Sequence, residues 1–292
     1  MEVETQLAAY CEWLDQQPLS SHTRRAYRGR VKGFLDWLAE QPRADEALAA
    51  GPACDYAVRD YKRYLKVERG AKPSSVNLTL AAVDHFYRCL GAGQPDVRRE
   101  DLPQEAPRAL EPEEQRRFLR AVERCPSARD RALARLLFYT GLRLGEAAAL
   151  DLDDVRISAR KGIVVVRSGK GDAYREVPLM AEVRESLDVW LAERRQKFPQ
   201  ATSEALFLSR RGQRLADRTI DLVVRKLATE AQLTLSAHTL RHTCLTNLVR
   251  RGNDLVLVAE VAGHRRLETT RRYSLPTAAD RAAAMEALKV EY

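Results

Sequence analysis

The chain reads as a mainly α-helical protein with a small β-sheet, divided into a helical N-terminal unit and a larger α+β unit. Three observations predict this. Through roughly the first ninety residues, apolar side chains recur at the three- and four-residue spacing of amphipathic helices. Residues 92–111, AGQPDVRREDLPQEAPRALE, then combine Pro, Gly and charge with little apolar periodicity, as a connection between units does. Later, GIVVVRS at 162–168 and AYREVPL at 173–179, joined by GKGD, interrupt the helical patterns and read as a β-hairpin. The domain organisation that follows is 1–95 for the helical unit, 96–110 for a linker and 111–292 for the second unit. A chain of 292 residues is long enough to bury two separate cores.

Taken in order, the spacing predicts helices near 3–17, 20–40, 54–69 and 73–91. Ser20 or Ser21 offers a cap for the second, whose Tyr27, Val31, Phe34, Leu35 and Leu38 form its apolar face. Its opposite face carries Arg24, Arg25, Arg28 and Lys32, which suits either a solvated surface or a face laid along a polyanion. Pro73 marks the start of the fourth helix. Helical patterns resume at Glu111, and RDRALARLLFYTGLRLGEAAALDL reads as a core helix, a turn at Gly141 and a second, short helix. Leu136 and Phe138 belong to the core, whereas Arg143 follows the glycine turn, where an arginine can point toward a ligand. Glu146, three residues on, either orients that guanidinium or forms an exposed pair with it. Lys170 sits in the turn of the hairpin, by local sequence an ordinary solvated loop position.

Farther on, His238 and Arg241 lie three apart on a helix that Leu240, Cys244, Leu245, Leu248 and Val249 make apolar around much of its circumference. An arginine at the start of a buried helix needs an anion. The tail, SLPTAADRAAAMEALKVEY, holds Ala282, Met285 and Leu288 as a spaced apolar stripe, too short for a stable isolated helix.

Composition narrows the class of partner. The formal net charge is +8 and the pI about 9.3, and residues 1–100 hold 15 basic against 14 acidic side chains, so almost all the excess lies in the second unit. That favours a polyanion there, although ribosomal, chromatin and membrane-surface proteins share such a balance. With nine lysines against forty arginines, no single arginine is informative; spacing carries the information. Cysteines 11, 54, 89, 125 and 244 show no CxxC pair or zinc-like spacing and read as free thiols. The N-terminal segment is acidic rather than signal-like, and no apolar run is long enough to cross a bilayer, so a cytoplasmic protein is expected.

Arg143, Lys170, His238, Arg241, His264 and Tyr273 together make an anion-binding set with a nucleophile beside it. Guanidinium groups hold the oxygens of a phosphodiester bidentately, and imidazoles add donors as charge develops on phosphorus. On TGLRLGEAAAL at 140–150, HTLRHT at 238–243 and the run from Gly263 to Tyr273, the chain resembles the tyrosine recombinases of the phage integrase family, and most of all their compact, Xer-like bacterial members. HxxR alone is weak, but HxxR followed by Gly-His and then a tyrosine nine residues later is specific. Gly145 and Ala147 depart from the Ser-Glu-Leu pattern common in relatives and leave Glu146 in register.

The resemblance implies a two-domain clamp on DNA, an N-terminal core-binding domain of the SAM-like helical type plus a catalytic domain. It further implies two successive transesterifications through a 3′-phosphotyrosyl intermediate and a Holliday junction, independent of metal, ATP or any cofactor. Tyr273 is then the nucleophile, His238 assists it, Lys170 protonates the leaving 5′-hydroxyl, Arg143, Arg241 and His264 hold the non-bridging oxygens, and Glu146 supports the first arginine. The implied partners are duplex DNA with short inverted core sites and further copies of the chain, in a tetramer joined through the C-terminal tail. A second recombinase or an accessory protein is a further expected partner, and the expected role is dimer resolution, transposon resolution or mobile-element integration. A type IB topoisomerase-like DNA-relaxing enzyme, a catalytically silent DNA-binding protein and a general nuclease stay open as alternatives.

Overall fold

The computed structural model describes residues 3–42, 44–49, 51–102, 106–167, 174–200, 202–264 and 266–275, together with Ala282, Met285 and Glu286. The chain divides into two compact units, Met1–Pro103 and Gln104–Tyr292.

Helices build the first unit: α1 (Val3–Asp15), α2 (Ser21–Ala39), α3 (Ala44–Ala47), α4 (Pro52–Val67) and α5 (Pro73–Cys89). Ser20 caps α2, its hydroxyl accepting the Thr23 N–H at 3.1 Å, and satisfies one of the amides a helix start leaves open. Val31, Phe34, Leu35 and Leu38 of α2 are buried against Phe86 and Tyr87 of α5 and Tyr10 of α1, so the predicted apolar face is the core face. α3 is too short to leave a periodic signal. On the polar side of α2, Arg24 donates to the Asp15 carbonyl, Arg28 pairs with the Asp15 carboxylate at 3.3 Å and Lys32 with Asp36 at 2.7 Å.

Much of the stretch expected to be a linker is fastened down. The Asp96 N–H donates to Asp55, Asn77 exchanges two hydrogen bonds with the backbone of Glu100, and the Glu100 carboxylate is held between Lys62 and Lys66 at 2.8 Å each. These residues belong to the first unit. Leu110, fully buried, belongs to the second, its N–H donated to the Thr243 hydroxyl at 2.9 Å. Side-chain to backbone bonds of this kind carry no apolar periodicity, so the segment looks unstructured in sequence.

The second unit runs α6 (Pro112–Arg124), α7 (Ala128–Thr140), α8 (Leu144–Ala149), β1 (Val155–Ile157), β2 (Gly162–Arg167), β3 (Tyr174–Pro178), α9 (Ala181–Lys197), α10 (Asp217–Glu230), α11 (Ala237–Arg250), α12 (Leu255–Ala262) and α13 (Leu267–Arg271). Its core gathers Phe118, Leu133, Leu136, Leu137, Trp190 and Leu240 with Val164, Val166 and Val177 of the sheet. The sheet has the order β1-β2-β3 with antiparallel pairing, Val164 opposite both Val155 and Val177. β2 and β3 form the predicted hairpin, with Leu179 just outside β3; β1, three residues among charges, has no counterpart in the sequence reading. The connection carrying Lys170 lies outside the described residues, as does most of the tail, Leu288 included. Ala282 and Met285 are exposed. All five cysteines are free. Among the described residues no helix is long and apolar enough to cross a membrane.

Candidate active site

Two left-handed glycines shape the site. α7 ends at Gly141 (φ +63°), where a Cβ would lie 3.3 Å from the Cys244 sulfur of α11. The turn sets Arg143 at the N-cap of α8, where Glu146 reaches back to accept both its backbone N–H (2.8 Å) and its guanidinium (2.7 Å). α12 ends at Gly263 (φ +63°).

The carbonyls at that helix end organise the arginines. Val261 O accepts from Arg175 Nε at 2.9 Å, Ala262 O from Arg241 Nη2 at 2.7 Å and Gly263 O from Arg143 Nη2 at 3.0 Å. Three successive carbonyls thus take three arginines, drawn from β3, α11 and the start of α8. A helix C-terminus leaves its last carbonyls without intrahelical donors and carries partial negative charge, so cations are favoured there. Arg241 also donates to Gly141 O, which ties the two glycine turns together. It is only 3 % exposed, and burial, followed by the charge of Arg143, lowers its pKa to about 10, still cationic at neutral pH.

His264, just past Gly263, has a definite tautomer. A guanidinium only donates, so His264 Nε2, 3.0 Å from Arg241 Nη2, accepts, and the ring proton lies on Nδ1, which donates to Thr270 Oγ1 at 2.8 Å. Burial and then the charges of Arg241, Arg143 and Arg175 lower its pKa to about 4, so the ring is neutral.

Tyr273 lies in a 3₁₀ turn (Arg272–Ser274) directly after α13, 8 % exposed, its ring nearly parallel to His264 with centroids 6.1 Å apart. Its hydroxyl is 2.9 Å from Nδ1 of His242. Burial raises the phenol pKa, against the lowering influence of Arg241, Arg272 and Arg143. His242 is held down to about 4 by burial and then by its neighbours His238 and Arg241. His238 is itself lowered by burial, and its ring packs edge-on against that of His242 at 4.1 Å.

Arg143, Glu146, Arg241, His264 and Tyr273 therefore converge, with His238 one helical turn before His242. Lys170 lies outside the described residues. The bond to the Tyr273 hydroxyl comes from His242 and not from His238, the histidine expected to assist it. The available signal was the four-residue spacing of His238 and His242, which places both on one face of α11. Arg175 was missed as well. Strand alternation puts it on the same face as buried Val177, and a charge on an inward face is a signal.

Residues 108–279 match the model of the phage integrase family, and residues 7–93 that of the phage integrase N-terminal SAM-like domain. The chain belongs to the phage integrase family. It is a tyrosine recombinase. The match to the XerC tyrosine recombinase of Myxococcus xanthus is 32% identical over 280 residues, covering 90% of each chain. The XerA tyrosine recombinase of Thermococcus kodakarensis is 28% identical over 283 residues, covering 95% of this recombinase and 93% of the relative. Among solved structures, the XerA recombinase crystal structure is 27% identical with a TM-score of 0.56 over the full length of both chains. A XerH recombinase on palindromic difH substrate, in a post-cleavage complex, has a TM-score of 0.74 at 23% identity, covering 90% of this chain and 78% of that one; it supports the fold.

Proposed function

We propose that this recombinase breaks and rejoins duplex DNA at short inverted core sites through Tyr273, with Arg143 and Arg241 holding the non-bridging oxygens of one phosphate and His264 joining them once the phosphate charge draws a proton onto its Nε2. The observation that carries this is the meeting of a buried phenol, a neutral imidazole pair and two guanidiniums within one network. Tyr273 attacks phosphorus, its proton leaves to the His238–His242 pair, and the 5′-oxygen departs with a proton from Lys170, leaving a 3′-phosphotyrosyl link. A phenol with a reference pKa of about 10 is a poor nucleophile at neutral pH. Acid–base assistance supplies about 10²–10⁴ in rate, and an arginine on a transferring phosphoryl group about 10³–10⁵. The link preserves the energy of the broken phosphodiester, so a second DNA hydroxyl reseals it without ATP, by way of a Holliday junction.

Strand exchange needs several copies, and we assign their contact to the tail beyond residue 279. A cavity of about 470 Å³, lined in part by Pro107, Thr246, Val249, Tyr273 and Leu275, has room for apolar side chains such as those of the tail. The role is resolution of dimers or transposon intermediates, or integration of a small element.

The test is covalent trapping. Chromosomal fragments incubated with the protein and sequenced at the attached ends yield the site, and Tyr273→Phe abolishes the adduct. Absence of any adduct on nicked substrate, or relaxation of any plasmid without joining of two sites, overturns the assignment. Deleting 279–292 is expected to remove cooperative binding and recombination while cleavage of a single site persists.

A further inference from the structure

The Glu146 carboxylate accepts four hydrogen bonds. Two come from Arg143, its backbone N–H at 2.8 Å and Nη1 at 2.7 Å; two come from Arg175, Nη1 at 3.1 Å and Nη2 at 2.8 Å. The side chains of Glu146 and Arg175 are both 15% exposed, while that of Arg143 is 44% exposed. The inner arginine therefore grips the carboxylate as a fork, and the outer one is the arginine that meets solvent.

Charge decides what this does. Glu146 and Arg143 alone form a neutral pair, and a carboxylate beside a guanidinium that must bind phosphate opposes the binding it orients. Arg175 brings the trio to a net +1 and engages both oxygens of the carboxylate. An ion pair at this depth is weak evidence for stability, because apolar residues of similar volume fill such space at no loss. The charge therefore calls for a reason in the chemistry.

Arg175 is also fastened to the rest of the site. Its Nε donates to Val261 O, and its guanidinium lies so close to Gly263 that a Cβ there would be 2.7 Å from Nη1. It is the second residue of β3, directly after the connection that carries Lys170.

We infer that Arg175 is a positioning residue of the strand-cleavage reaction: it neutralises Glu146, so that Glu146 orients Arg143 without cancelling its charge, and it joins the β2–β3 hairpin to the arginine cluster. This rests on the role proposed for Arg143 at the phosphate.

The experiment measures single-turnover phosphotyrosine formation on a nicked duplex of the sequence recovered by covalent trapping, with Tyr273→Phe as blank. Arg175→Met is expected to slow adduct formation by about 10²-fold, the scale of losing one donor to developing charge, while DNA affinity changes by less than about threefold. Adding Glu146→Gln to Arg175→Met removes the uncompensated carboxylate and is expected to recover roughly tenfold, within the coupling range of residues in one network. A purely structural arginine predicts the opposite, a double variant no better than the single one, and that result overturns the inference. So does an Arg175→Met protein that cleaves at the wild-type rate. Should Arg175→Met fail to fold by circular dichroism, Arg175→Gln takes its place: it keeps a polar donor but no charge, is expected to show a similar loss and a similar recovery on adding Glu146→Gln, and a folded Gln variant that cleaves at the wild-type rate rejects the charge role. If the wild-type chain forms no adduct on any fragment, the proposed function itself fails, an outcome distinct from a failure confined to Arg175.

Discussion

The hydroxyl of Tyr273 sits 2.9 Å from Nδ1 of His242, one helical turn beyond His238 on the same face of α11. The proposed nucleophile thus meets an imidazole within its own unit, and the ring is neutral at physiological pH because burial holds its pKa near 4. A neutral Nδ1 either accepts the phenolic proton or donates to the phenolic oxygen, and both hold the side chain in place.

Replacing His242 with Phe removes that bond and is expected to slow phosphotyrosine formation by about 10²-fold. His242→Asn, whose amide takes the place of Nδ1, holds the hydroxyl but is a poor proton acceptor, and is expected to lie between Phe and wild type. Single-turnover rates across pH measure both. A Phe variant at the wild-type rate would return the whole task to His238.

How far the sequence reading reached depends on how local each signal is. The apolar face of α2, the Gly141 turn before Arg143 and the buried start of α11 follow from spacing within one element, and the structure has them where that spacing places them. The link of Arg175 to Glu146 spans 29 residues and joins a strand to a helix start, so no local pattern reports it. The capture of Arg143, Arg175 and Arg241 by consecutive carbonyls at the end of α12 is equally invisible, because backbone acceptors have no letter in the sequence. Residues 96–102 fail for a related reason: their order comes from Asn77, Asp55, Lys62 and Lys66, residues of α4 and α5.

Gly263 is expected to resist substitution. It holds φ +63°, where a side chain costs about 1–2 kcal/mol, and a Cβ would press on the Arg175 guanidinium. Gly263→Ala should lower the melting temperature by a few degrees and slow adduct formation together. A variant destabilised yet fully active would separate the turn from the arginine cluster.

Stability should decline with acid before Glu146 titrates. His242 and His264 have folded pKa values near 4 against about 6.5 when unfolded, so the unfolded chain binds more protons between those values. Their contribution is complete above about pH 6.5 and is lost as pH falls toward 4, with a slope of at most about 1.4 kcal/mol per pH unit for each ring, reduced by solvent screening. Glu146, lowered to about 2 because its arginine hydrogen bonds outweigh burial, titrates below that window. Denaturant melts at pH 7.5 and pH 5 test this, with His242→Gln expected to give the shallower dependence; equal stability at both values would mean that the rings are solvated.

The basic face of α2 offers a separate test in the first unit. Arg24, Arg28 and Lys32 pair with Asp15 or Asp36 on the solvent side of the helix, and Arg25 is exposed. Surface pairs of this kind contribute about 0–1 kcal/mol, so they yield readily to phosphate. If this face lies along DNA, every phosphate left without its cation lowers the slope of log affinity against log salt by about 0.9. Changing all four residues to Gln should therefore flatten the salt dependence by the equivalent of up to about four phosphates. The fold should stay intact, since none of the four reaches the core of Phe34, Phe86 and Tyr87. An unchanged slope would assign the face to solvent and move the search for DNA-binding side chains to the other helices of that unit.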